Sequence, residues 1–219
     1  MSEATIKSPP PDLETVFTLC YTSGTTGDAK GALFKHKNLV ASICVGELHF
    51  GKVDHSLRHV ELLFLPLAHI LGRFGFYNAL IYRKSQGLFG GDITKLMEDI
   101  KLLKPTYIIG VPRLLNKIYD GIHFKMKMEG PEKYGFFKKA LEEKIAQMRK
   151  DGSVIHSHYD SLLFDKLKPI LGGEVRKIVV GGAPMSRDVV EFFRVAFCCS
   201  VVEGYGMTES PGAFLAPEF

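Results

Sequence analysis

The sequence lacks any cysteine pair with the spacing of a metal clamp. Its four cysteines, Cys20, Cys44, Cys198 and Cys199, contain no CxxC, and adjacent cysteines such as Cys198 and Cys199 rarely bridge each other. Three of the four lie in apolar runs, so buried free thiols in a reducing compartment are expected. The opening residues, MSEATIKSPPPD, hold no apolar signal core. No zinc-finger or RNA-binding pattern occurs, and no long block of one charge sign. The net charge is +4 over 219 residues. Its richest basic stretch, 133–150, interleaves Lys133, Lys138, Lys139, Lys144, Arg149 and Lys150 with acids, as a solvated helix face does. Nucleic acid is therefore not an expected partner. A clean membrane span is missing too. Residues 62–82 come nearest, but Arg73 would sit near the bilayer centre at a cost of about 2.5–3.5 kcal/mol, and Pro66 and two glycines interrupt the run. That stretch reads as a buried strand followed by a buried helix.

What remains is the composition of an ordinary globular chain, 46% hydrophobic and 24% charged. Residues 1–12 are Ser/Pro-rich and read as a linker or a cut end. LETVFTLCYT (13–22) has the pattern of a strand, and GALF (31–34) resumes it after a Gly/Thr-rich loop. Residues 37–49 look helical, with Val40, Ile43, Cys44 and Leu48 on one side. ELLFL (61–65) and TYIIGV (106–111) read as strands covered on both faces. A helix to about Lys84 follows the first, then a short strand at 87–90. Asp92 suits the N-cap of a helix carrying Ile93, Leu96, Met97, Ile100 and Leu103 at helical spacing, which Pro105 ends. Pro112 suits a first helical turn. Residues 124–170 are helical and more polar. VRKIVV (175–180) and CSVVE (199–203) are strands, with a helix between them that Ser186 can cap. The alternation predicts an α/β fold, a largely parallel sheet flanked by helices. Ligands in such sheets bind beyond the carboxyl ends of the strands. PLAH (66–69), VPR (111–113), GGAP (181–184) and GYGMTE (204–209) should therefore crowd one edge.

Chemistry concentrates in two runs. Thr22, Ser23, Gly24, Thr25, Thr26, Gly27 and Lys30 lie in YTSGTTGDAKG (21–31). Its glycines turn the backbone so that N–H groups point outward, four hydroxyls add donors, and Lys30 adds a positive charge, a combination suited to a polyphosphate. It is not a Walker loop, because Gly31 follows Lys30 where that motif needs Ser or Thr. In EGYGMTE (203–209), Gly204 and Gly206 flank Tyr205, whose ring can stack on a base. Thr208 offers a hydroxyl, and Glu209 a hard oxygen for Mg²⁺.

The first run resembles the phosphate-binding signature of the adenylate-forming, or AMP-binding, superfamily, which includes acyl-CoA synthetases, luciferases and peptide-synthetase adenylation domains. Ala29 stands where that family usually has Pro. The second run is similar to the superfamily's adenine and Mg²⁺ motif. VPRLLNKIYDGI (111–122), LLFDKLKPILGGEVRKIVVGGAP (162–184) and VEFFRVAFCCSVVEGYGMTES (190–210) resemble the long-chain fatty acyl-CoA synthetase branch. The likeness covers nearly all of 13–212.

The resemblance implies ATP-dependent activation of a long-chain fatty acid through an acyl-adenylate to acyl-CoA, with Mg²⁺ and with CoA as co-substrate. It puts Lys30, Thr208 and Glu209 in the catalytic machinery, with Lys30 and the phosphate loop on the β- and γ-phosphates. Tyr205 falls against adenine beside Gly182, Ala183 and Pro184, Thr208 on the α-phosphate, and Glu209 with Thr22 on the metal. His69 falls near the substrate carboxylate. It further implies that 13–219 is part of an AMP-binding domain without the C-terminal lid domain, whose lysine drives adenylation, so this chain alone is expected to be inactive. The expected location is the cytoplasm or the cytoplasmic face of an intracellular membrane, with peripheral association of the longer parent compatible with it. Two rival readings stay open: a truncated remnant that binds nucleotide or a partner without turnover, and adenylation of a different carboxylic acid.

Overall fold

The computed structural model describes residues 11–22, 28–50 and 53–215. A two-stranded antiparallel ribbon comes first, β1 (Val16–Thr22) and β2 (Lys30–Lys35), with Thr22 opposite Lys30 at its open end. Helix α1 (His36–Phe50) leads to a six-stranded sheet formed by β3 (Val60–Leu63), β4 (Ser85–Leu88), β5 (Tyr107–Gly110), β6 (Lys177–Gly181), β7 (Ser200–Met207) and β8 (Ser210–Leu215). Their order is β4-β3-β5-β6-β7-β8; the first five are parallel and β8 runs antiparallel to β7. The expected largely parallel α/β sheet is therefore present.

Crossover helices link the parallel strands: α2 (Ile70–Ile81) from β3 to β4, α3 (Leu96–Leu103) from β4 to β5, α4 (Pro112–Met128), α5 (Pro131–Asp151) and α6 (Ser157–Leu162) from β5 to β6, and α7 (Arg187–Ala196) from β6 to β7. The chain leaves β3 toward β4 and then returns past it to β5, so the strand order reverses there. Such a reversal opens a crevice at the carboxyl ends of the strands.

Period-two alternation assigns the two faces of the sheet. Leu62, Ile108, Ile178, Val180 and Val201 join Leu115, Phe137, Phe164, Phe192 and Phe193 in one large core. On the opposite face Val179 and Val202 cluster with Ile43 of α1 and Phe74 of α2, with Leu39, Tyr77, Tyr82 and Tyr107 packed against them. Helix α7 shows why the large core forms. Val189, Val190, Phe192, Phe193, Val195 and Ala196 are all buried, while Glu191 on its flank pairs with Arg149 and Arg187.

Several expectations shift at their edges. β3 covers 60–63, leaving Phe64 and Leu65 beyond the strand, and β4 lies at 85–88. The helical reading of 124–170 resolves into α4, α5 and α6 with short 3₁₀ turns at 164–166 and 168–171, because Gly130 and Gly152 interrupt it with positive φ. β7 runs on to Met207, so GYG is strand rather than turn. Asp92 does cap, accepting from Thr94 N at 2.9 Å, whereas Ser186 occupies an N-cap position without a side-chain bond. On α1 the buried stripe is Ser42, Ile43 and Gly46; Val40 and Cys44 face outward, and the side chain of Leu48 lies outside the described residues. Cys20 and Cys199 are buried free thiols as expected, Cys198 is half-buried, and Cys44 is exposed. Among the described residues no helix is long and apolar enough to cross a membrane. The charge that argued against a span, Arg73, donates to Leu67 O and to Thr18 Oγ1.

Candidate functional site at the carboxyl edge of the sheet

The β3–α2 connection positions the first candidate residue. His69 is the N-cap of α2, and its Nδ1 accepts from Leu71 N at 3.1 Å. That bond leaves Nε2 as the protonated nitrogen of the neutral ring. α2 can follow so closely because Gly72 has no side chain: a Cβ there would lie 2.5 Å from Pro66 O. Arg73 ties the same loop to β1, and Cys20 Sγ lies 3.4 Å from Ala68 O. The ribbon therefore packs beside the 66–69 loop, and Thr22 and Lys30 stand two residues beyond Cys20, about 7 Å further along the strand.

The strands β6 and β7 position the second group. Gly181 pairs with Gly204, and both chains continue past the register into GGAP and GYGMTE. Glu203 holds the two segments together, its Oε1 accepting from Met185 N at 3.4 Å. A cavity of about 180 Å³ opens between these ends and the start of α2. His69, Gly182, Gly204, Gly206 and Thr208 all line it, with Leu71, Phe74 and Ile109 as its apolar floor. Gly182 from one run and Gly204, Gly206 and Thr208 from another thus share one crevice with His69. Small residues leave flat backbone walls, and Thr208 and His69 supply polar groups at the mouth. This suits a planar ring with a polar tail.

The other candidates sit differently. Tyr205 is 61% exposed and outside the cavity lining, on the strand between Gly204 and Gly206. Ala183 and Pro184 are exposed beside the cavity, in the turn after Gly182. Glu209 is exposed in the β7–β8 turn next to Thr208. Lys30 is exposed at the start of β2, where its carbonyl accepts from Thr22 Oγ1 at 3.4 Å. Ser23, Gly24, Thr25, Thr26 and Gly27 lie outside the described residues. Among the described residues no group of three or more His, Cys, Asp or Glu is placed to hold a metal ion. Sequence reasoning missed the floor of the crevice. Leu71, Phe74 and Ile109 carry an ordinary apolar pattern, and nothing local marks them as lining residues.

The AMP-binding enzyme family profile matches residues 2–218. The chain is 41% identical over 201 residues to the peroxisomal long chain acyl-CoA synthetase 7 of Arabidopsis thaliana, covering 92% of this chain and 28% of that protein. It is 38% identical over 206 residues to long-chain-fatty-acid–CoA ligase 5 of Rattus norvegicus, covering 93% and 30%. It therefore spans less than a third of these curated relatives. Among solved structures it resembles the adenylation domain of a carboxylate reductase from Mycobacterium chelonae, with a TM-score of 0.65 at 24% identity, covering 95% of this chain and 29% of that one. It also resembles the O-succinylbenzoate coenzyme A synthetase of Bacillus subtilis in complex with ATP and magnesium ion, with a TM-score of 0.59 at 21% identity, covering 94% and 33%.

Proposed function

The chain belongs to the AMP-binding enzyme family, and from that premise we propose that it supplies the nucleotide-binding part of a long-chain fatty acid–CoA ligase. The reaction would run in two steps. A fatty acid carboxylate attacks the α-phosphorus of ATP, giving acyl-adenylate and pyrophosphate; the thiol of CoA then displaces AMP. The observation that carries the reading is the shared crevice of His69, Gly182, Gly204, Gly206 and Thr208 at the carboxyl edge of the sheet. The long-chain branch is supported by the two ligases whose identities are given above.

The work of the chain in this scheme is positioning and charge neutralisation. The glycine-rich walls and Tyr205 receive the adenine, with Ala183 and Pro184 at the rim. Thr208 donates to the α-phosphate, and Lys30 with the 22–27 segment binds the β- and γ-phosphates. Glu209, together with Thr22, would hold Mg²⁺, which when bound offsets the charge that repels the incoming carboxylate. His69, with its Nδ1 committed to Leu71 N, keeps Nε2–H free to donate to that carboxylate.

The test is calorimetric titration of the 219-residue chain with Mg·ATP, followed by ATP–pyrophosphate exchange with a long-chain acid in the longer protein. Lys30→Ala should weaken ATP binding, and Glu209→Ala should remove its dependence on Mg²⁺. Exchange should fall in both. Binding and exchange untouched by either substitution would remove those residues from the site.

A further inference from the structure

Helix α4 carries a surface that the proposed chemistry leaves unused. Its inner side, Leu115, Ile118, Ile122 and Met126, is buried in the large core. At 3.6 residues per turn, Arg113, Lys117, Asp120, Phe124, Lys127 and Met128 fall on the opposite side, within an arc of about 100°. All six are exposed, and Lys125 is exposed on their flank. Phe124 is 66% exposed and Met128 73%, although both are large apolar side chains. Four residues apart on one helix, they are neighbours. Nothing in the core draws them inward, so they face water as a pair.

The charges around this pair are mostly of one sign. Arg113, Lys117, Lys125 and Lys127 stand against one acid, Asp120. None of the five enters a salt bridge among the described residues. Lys127 Nζ lies 5.4 Å from the centroid of the Tyr134 ring. Past Met128, Glu129 pairs with Lys133 at 3.6 Å, and Glu132 lies in the first turn of α5. Helix α5 differs in that its lysines alternate with acids, as Lys139 does with Glu143 at 3.9 Å. A helix face that is only solvated resembles α5. The face of α4 combines uncompensated cations with two apolar side chains.

That combination selects among anionic partners. Nucleic-acid phosphates would meet the cations and offer Phe124 and Met128 nothing. A bilayer surface takes both, with headgroups for the cations and the acyl boundary for the apolar side chains. We propose that the outward face of α4 is a docking surface for an anionic lipid bilayer, with Phe124 and Met128 entering the acyl boundary and the four cations meeting the headgroups. The proposal is independent of the crevice, although a long-chain acid, the substrate class proposed above, dissolves in the same layer.

The experiment is flotation of the 219-residue chain with vesicles of phosphatidylcholine alone or mixed with phosphatidylserine. The chain should float with the mixed vesicles only, and less so at high salt. Lys117→Ala with Lys127→Ala should weaken binding about 30-fold, and Phe124→Ser with Met128→Ser about tenfold. These positions are exposed, so urea midpoints should stay unchanged and the loss is one of binding. The chain has no tryptophan, so Phe124→Trp supplies the single indole signal. Its emission should move to shorter wavelength on the mixed vesicles. No flotation, or equal flotation with both vesicles, would overturn the inference. Binding that survives loss of Lys117 and Lys127 would do the same, as would bound Phe124→Trp with unshifted emission. Duplex DNA that displaces the vesicles at equal phosphate concentration would make the face a general polyanion surface and overturn the lipid assignment. Titration with Mg·ATP reads the crevice separately, so either proposal can fail while the other stands.

Discussion

The two faces of the sheet are built on opposite principles. The face under α3, α4, α5, α6 and α7 is filled by interlocking aromatic rings: Phe192 meets Tyr119, Phe193 and Phe197 edge-on, and Phe193 stacks on Phe197. The face under α1 and α2 carries a small buried cluster of Ile43, Phe74, Val179 and Val202, a buried acid, a buried amide and the crevice. Burial of apolar surface stabilises a fold roughly in proportion to its area. Stability is thus concentrated on one face, and the other is left sparse enough to hold a ligand. The contrast shows that one sheet can separate the two tasks by side-chain alternation alone.

Cavity-forming substitutions would break this comparison most forcefully. Phe192→Ala, at a fully buried position in the ring cluster, should cost about 4 kcal/mol. Phe74→Ala, which borders the existing crevice, should cost about half as much, since its neighbours already face open space. Urea unfolding of both variants gives the ratio, and equal losses would contradict the division between faces.

The next effect concerns the one ion pair buried on both sides among the described salt bridges. Lys144 of α5 binds Asp160 of α6, and Asp160 Oδ2 also accepts from His156 N at 2.8 Å. Lys144→Ala leaves the carboxylate buried without its counter-ion, and should cost about 3 kcal/mol. Replacing both partners, by Lys144→Met with Asp160→Leu, should recover most of that loss in the same unfolding assay.

A smaller effect sharpens the picture of the sparse face. The carboxyl of Glu61 is raised from 4.5 to about 8 in the folded chain, mainly by burial. A raised acid binds its proton more tightly folded than unfolded. Its contribution is therefore complete below about pH 4.5 and is lost as pH rises toward 8. Glu191 behaves in the opposite sense. Hydrogen bonding to Arg149 lowers it first, and Arg187 adds to this, so its contribution is lost as pH falls. Glu61→Gln should remove a decline of up to about 3 kcal/mol between pH 5 and pH 8, read from denaturation midpoints across that range. An unchanged profile would mean that Glu61 is not desolvated.

The smallest stability change belongs to the mouth of the crevice. Glu209→Ala, on an exposed turn, should alter unfolding by less than about 0.5 kcal/mol while changing Mg²⁺-dependent ATP binding. A large loss of stability would assign Glu209 to the fold rather than to the site.

Much of this was legible from residue order alone. Apolar-rich runs such as TYIIGV and VRKIVV marked the parallel strands, Pro112 and Asp92 marked helix starts, and the GYGMTE and TSGTTG runs carried chemistry in their residue types. Local backbone preference and short-range spacing suffice for such features. Other features depended on long-range packing. The periodicity of α1 pointed to Val40, Ile43, Cys44 and Leu48, yet contact with the sheet kept only Ile43 of the described ones and set it beside Ser42 and Gly46 on the inner stripe. The continuation of β7 through Met207 required β8 as a partner. Glu61 looked like one polar residue in an apolar strand until Gly75, fourteen positions later, closed over it. The sequence by itself determined the alternation of strands and helices and the residue chemistry of the 22–30 and 203–209 runs, because both are written in neighbouring residues. The tertiary structure alone decided that His69, Gly182, Gly204 and Thr208 share one crevice and that the Glu61 carboxyl is buried beneath Gly75 of α2, because those relations arise only when strands distant in the chain align and a helix with two glycines settles against them.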